Sequence, residues 1–100
     1  MELLNQPPAS DVVRLSRLKV EVPLLGTKNH VNLIFTSPDK FLPTTLAVYF
    51  NGVRMRRGAG EDYVVSESGG PGSGYDTITL LDAALAPYAT EQLFADYIQA

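Results

Sequence analysis

Apolar and polar positions alternate with a period of two along most of this 100-residue chain, and no long 3.6-residue period competes with it. Leu18, Val20 and Val22 fall on one face against Lys19 and Glu21, which predicts a strand from about Leu18 to Leu24. Residues 11–17 fit either an extended run or a short helix capped by Ser10 or Asp11. Val31, Leu33 and Phe35 alternate with Asn32 and Thr36, and the strand they predict ends at a turn-like SPDK before Phe41. Leu46, Val48 and Phe50 share the next face and run into Asn51-Gly52. That dipeptide predicts a type I′ hairpin turn, because both central residues of such a turn need φ > 0. Val53 to Met55 is then the returning strand, and Asp62 to Glu67 and Asp76 to Leu81 are two more. Between those two, SGGPGSG (68–74) reads as a loop tip, since four glycines and a proline do not belong inside a sheet. A half-turn of helix is expected in the DAALA segment before Pro87. The final run, Leu93 to Ile98, is largely apolar on both faces, so that strand is expected to be central or covered.

Six or seven short strands with turn signals at fairly regular intervals predict an all-β fold, a small antiparallel sandwich or barrel. The expected organisation is one domain over residues 18–100, preceded by an extended N-terminal arm over residues 1–17 that contains Pro7-Pro8.

Composition narrows the function. Apolar residues are 45% of the chain, enough for one core, and charged residues are 19%, below the ~25% of an average soluble domain. A net charge of -3 argues against a nucleic-acid binder held by phosphate contacts. The chain has no cysteine and a single histidine, His30, which excludes disulfides, thiolate metal sites and multi-histidine centres. No secretory signal or membrane span is expected from the MELLNQPPAS start or from the longest apolar run, Leu46 to Phe50.

The chemical candidates are weak. The glycine-rich stretch is followed by a strand and has no nearby lysine, unlike a phosphate-binding loop. Glu61, Asp62, Asp76 and Asp82 lie on separate turns without the spacing of a calcium loop. His30 follows the turn-like Gly26-Thr27-Lys28-Asn29 and reads as an exposed turn histidine. No catalytic, cofactor-binding or metal-ligating residue is therefore expected, nor an enzyme.

The cluster Arg54, Arg56, Arg57 carries more information. In a continued strand, Arg54 and Arg56 would share a face and Met55 and Arg57 the other. Like charges on one face repel unless an acidic group meets them, so the three arginines are either a solvated edge or a docking patch for an acidic neighbour. Residues 25–60 hold Lys28, Lys40, Arg54, Arg56 and Arg57 against Asp39, a net of +4. Residues 61–100 hold Glu61, Asp62, Glu67, Asp76, Asp82, Glu91 and Asp96 with no Lys or Arg, a net of -7. Such a split can be resolved by pairs within the fold or by contacts between copies.

The order of FTSPDKF (35–41), LPTTLAVYFNGVR (42–54), EDYVV (61–65), DTITLLDA (76–83) and LFADYIQA (93–100) resembles a small β-rich module of bacteriophage virion proteins, among them tail-fibre, neck and other tail-associated proteins. The resemblance runs from about Gly26 to the C-terminus. It implies a non-enzymatic structural subunit located in the virion after synthesis in the bacterial host cytoplasm. It also implies contact with other virion proteins and a threefold or sixfold homo-oligomer, without nucleic-acid or membrane partners. Two alternatives use the same fold. A carbohydrate- or receptor-binding module would need exposed rings among Tyr49, Tyr63, Tyr75, Tyr88 and Tyr97. A capsid decoration protein would differ in copy number.

Overall fold

A computed structural model describes residues 17–100. Residues 1–16 of the anticipated arm, with the Ser10 or Asp11 helix cap, lie outside the described residues. Among the described residues seven strands form two antiparallel sheets. They are β1 (Leu18–Pro23), β2 (Ile34–Phe41), β3 (Ala47–Phe50), β4 (Val53–Arg54), β5 (Tyr63–Ser66), β6 (Tyr75–Leu80) and β7 (Leu93–Ile98). One sheet has the order β1-β7-β3-β4 and the other β2-β6-β5. The last strand is central, as its two apolar faces predicted. Leu93, Ala95 and Tyr97 point into the core, while Phe94, Asp96 and Ile98 lie half-buried on the outer face.

Phe35, Phe41, Val48, Tyr63, Ile78, Leu80 and Tyr97 fill the space between the sheets. The sheets also meet at their corners. Leu25 pairs with Thr36, Phe41 with Gln99, and Arg57 with Tyr63, so backbone groups at the ends of the strands find partners across the sandwich. Gly26 sits at the first of these corners with φ +149, and a Cβ there would lie 2.6 Å from Phe35 Cδ2. Only glycine lets the chain pass so close to the core ring.

Two local readings change, and a third is made specific. SPDK is not a turn after a strand but the middle of β2. Thr36 faces Thr77 and Phe41 faces Tyr75, so residues 37–40 bulge opposite Asp76 alone. Turn-forming residues suit that bulge because Pro38 needs no ladder donor there. Val31 lies outside any strand and is 77% exposed. The Asn29 carboxamide accepts from the Val31 and Asn32 amides and holds residues 29–32 as a turn. The half-turn before Pro87 is a 3₁₀ turn, Ala83–Leu85, capped by Asp82. A second 3₁₀ turn, Pro43–Thr45, begins with proline, as helix starts favour.

Asn51 and Gly52 adopt φ +50 and +85, so the β3–β4 hairpin turn has the positive angles that its sequence requires. β1 carries a bulge of its own. Val20 and Glu21 together face Asp96, and Glu21 takes φ +50, uncommon for a residue with a side chain.

Candidate functional site

The hairpin turn sets the position of the arginines. β4 is two residues long and ends at Arg54, after which the chain leaves the sheet and crosses toward β5. Strand alternation therefore stops: Met55 turns into the core, while Arg56 and Arg57 both stay exposed. This departs from the two-against-two arrangement expected of a continued strand. The Asp62 and Tyr63 amides both donate to the Arg56 carbonyl, and Gly58 N–H donates to the Tyr63 carbonyl, which fixes the crossing.

The crossing leaves an open groove of about 620 Å³ between the hairpin edge, the Pro43–Thr45 turn and β5. Arg54, Arg56 and Arg57 line it, with Glu61 on the rim and Met55 and Tyr63 at its floor. The three guanidinium groups differ in their partners. Arg57 donates to the Pro43 carbonyl. Arg56 stands 3.8 Å from Glu61, a well-solvated pair of small energy. Among the described residues, neither Arg54 nor Arg57 has a carboxylate within 4.0 Å. The Tyr63 ring is buried at 2% exposure, and its hydroxyl has no hydrogen-bond partner among the described residues. Burial raises its pKa above the ordinary phenol value, against an opposing pull from the Arg57 and Arg54 charges. The groove is thus a positively charged recess with unused donors, suited to a carboxylate or another anion.

The acidic residues behave differently, and sequence spacing gave no sign of it. Six of the seven beyond position 60 accept a hydrogen bond from a backbone N–H. Asp62 accepts from Arg56, Glu67 from Gly72 and Gly74, and Asp76 from Ser68. Asp82 accepts from Ala84, Glu91 from Tyr88, and Asp96 from Glu21. These carboxylates hold turns and bulges by satisfying amides that no strand partner reaches.

The glycine-rich loop shows what this means chemically. The Gly72 and Gly74 amides converge on Glu67 Oε2 at 3.0 and 2.9 Å. A concave set of amides is an anion receptor, and here the chain's own carboxylate occupies it. Behind it, Asp76 accepts from the Ser68 hydroxyl at 2.6 Å, from Thr77 Oγ1 at 2.9 Å and from Lys40 Nζ at 3.2 Å. These bonds, the Ser68 hydroxyl first, hold its carboxyl well below the usual range.

His30 is not simply exposed. Its ring stacks on Tyr88 with centroids 3.9 Å apart, and Nδ1 lies 2.6 Å from the Ala86 carbonyl. A carbonyl only accepts, so Nδ1 carries the proton and Nε2 faces away from this bond. Of the five tyrosines, Tyr63 and Tyr97 are buried and Tyr88 is 54% exposed. Tyr97 donates to Asp39 at 2.9 Å, and burial together with that carboxylate raises its pKa.

Among the described residues no three His, Asp or Glu side chains gather in a way that could hold a metal ion. No helix among them is long and apolar enough to cross a membrane. No protein-family model, curated protein or solved structure matches the chain.

Proposed function

We propose that this chain is a non-enzymatic structural subunit of a bacteriophage particle, in the tail, neck or fibre-attachment region. It works by contact with neighbouring subunits through the arginine-lined groove. The observation that carries the reading is the pair Arg54 and Arg57, which face the groove with no carboxylate at hand among the described residues. Cations gathered on one edge repel one another, and an acidic neighbour relieves that cost. The ordered run of motifs from FTSPDKF to LFADYIQA supports the virion setting.

Mass spectrometry of purified particles, with native mass measurement of the isolated protein, tests the reading. The chain should be found in particles at a low copy number, in multiples of three or six. A very high copy number would move it to capsid decoration. A strict monomer absent from particles would overturn the proposal.

One feature favours a second reading, a glycan-binding module. Tyr88 offers an exposed ring backed by His30, and Glu91 and Lys28 meet close by, Lys28 Nζ donating to the Glu91 carbonyl. A flat aromatic face with polar neighbours is how sugars are held. Binding on a glycan array that is lost in Tyr88→Ala supports this reading, and an empty array removes it.

A further inference from the structure

A second recess lies on the outer face of the sheet that carries the arginine edge. It has a volume of about 260 Å³ and is lined by Glu21, Tyr49, Gly52, Phe94 and Asp96. Two carboxylates and two aromatic rings make a recess for a cation, which the acids attract and the ring faces hold by cation–π contact. It is smaller than the roughly 300–1,000 Å³ of a typical small-molecule site, a size that suits a side-chain head better than a free ligand.

The local backbone builds this recess deliberately. The β1 bulge places Glu21 at φ +50, a left-handed conformation that residues with a side chain rarely adopt. The Glu21 N–H then donates to Asp96 Oδ1 at 2.7 Å, which brings the two acidic residues together. Among the described residues the Glu21 carboxylate has no hydrogen bond and no ion pair. Six of the seven acids beyond position 60 are held by backbone amides, and Glu61 lies beside Arg56. Glu21 is therefore the acidic group best placed to meet a partner.

Strand order decides what that partner is. In β1-β7-β3-β4 the two carboxylates stand on β1 and β7, the recess continues past Tyr49 of β3 to Gly52 in the hairpin turn, and Arg54 lies at its margin across from Tyr49. Glu21 and Arg54 stand on opposite edge strands, about three strand spacings or ~14 Å apart, and among the described residues no carboxylate lies within 4.0 Å of Arg54. We propose that a second copy of this chain fills the recess, its Arg54 and Arg56 entering between Glu21, Asp96, Tyr49 and Phe94 of the first. Arranged head-to-tail, as the threefold or sixfold subunit of the proposed function requires, the contact repeats from copy to copy and closes as a ring. This deepens the structural-subunit reading and rests on it for the biological setting.

The test uses the whole chain in three forms: wild type, Glu21→Gln, and the double variant Arg54→Gln with Arg56→Gln. Sedimentation velocity and native mass spectrometry at low ionic strength read the assembly. Circular dichroism and Tm confirm that each variant is folded. Wild type should form oligomers that weaken with salt, as steered charge contacts do. Each variant alone should associate at least about tenfold more weakly. An equimolar mixture of the two should stop at a heterodimer, since only one complementary pair of surfaces remains intact. A monomeric wild type, a variant that assembles as wild type does, or a mixture that forms no heterodimer overturns the inference. Particle proteomics separates the two levels. Presence in particles with a monomeric isolated chain defeats the self-contact alone, and oligomers without presence in particles defeat the virion setting alone.

Discussion

Replacing Asp76 with asparagine removes the charge from a carboxylate that accepts four hydrogen bonds. Oδ1 accepts from Ser68 N–H at 3.0 Å and from Thr77 Oγ1 at 2.9 Å, and Oδ2 from Ser68 Oγ at 2.6 Å and Lys40 Nζ at 3.2 Å. Asparagine keeps an oxygen for the first two, and the Ser68 hydroxyl can rotate to accept from the new amide. What is lost is the charge assistance on these bonds and the lysine pair. A hydrogen bond to a charged group exceeds a neutral one by roughly 1 kcal/mol, and a solvated pair adds ~0.2–1 kcal/mol. The lysine is 44% exposed and the carboxylate 16%, so solvent screens part of this. The expected cost is about 2 kcal/mol at neutral pH. Its pH dependence is the sharper part. The folded carboxyl titrates below its unfolded value, so the stabilisation is complete at neutral pH and is lost as pH falls below about 4. Urea denaturation of wild type and variant across acid to neutral pH should show a constant gap near neutrality that closes in acid. A gap below about 0.5 kcal/mol at pH 7, or one that does not narrow with acid, would refute the reasoning.

Three other substitutions probe the same frame. Glu67→Ala should leave the Gly72 and Gly74 amides without their acceptor, costing about 1–2 kcal/mol, and their hydrogen exchange should accelerate at least tenfold; unchanged exchange at both would refute the anchoring role. Gly26→Ala combines a disallowed φ with a 2.6 Å approach to Phe35, and should cost about 3 kcal/mol in chemical denaturation. Gly52→Val meets nothing within 4 Å, so only the backbone conformation is strained and the cost should be smaller, about 1–2 kcal/mol. The reverse order of these two glycine effects would show that the corner at Gly26 relaxes.

Strands were legible in this sequence where alternation was clean and the turn chemistry unambiguous. Asn51-Gly52 located its hairpin because the dipeptide meets a local requirement that no distant contact can override. Leu93 to Ile98 located a central strand because both of its faces are apolar. Ser37-Pro38-Asp39-Lys40 misled because a bulge and a turn recruit the same residues, and only the partner strand distinguishes them. The arginines were legible as a cluster, but their placement was not. It depends on where β4 stops, which follows from the bridge between Arg57 and Tyr63 rather than from any local signal. The acid–aromatic recess was hidden entirely, since Glu21 lies far along the chain from Tyr49 and Phe94, and a bulge brings it there.

The charge split has a physical origin that alters what it says about partners. A β fold with long connections leaves many turn amides without ladder acceptors, and a carboxylate is the strongest acceptor a side chain offers. Asp62, Glu67, Asp76, Asp82, Glu91 and Asp96 all serve this need, so the acidic excess of the second half follows from its loops. Arginine has only donors, and the carbonyls of a sheet are already paired, so folding makes far less use of it. Arg57 finds one carbonyl, at Pro43, which also accepts from the Leu46 amide, while Arg54 reaches no carboxylate among the described residues. Net charge therefore misleads about binding here. The acids serve mainly the fold, and the arginines, together with the one acid that a bulge sets apart, are the groups left to meet another molecule.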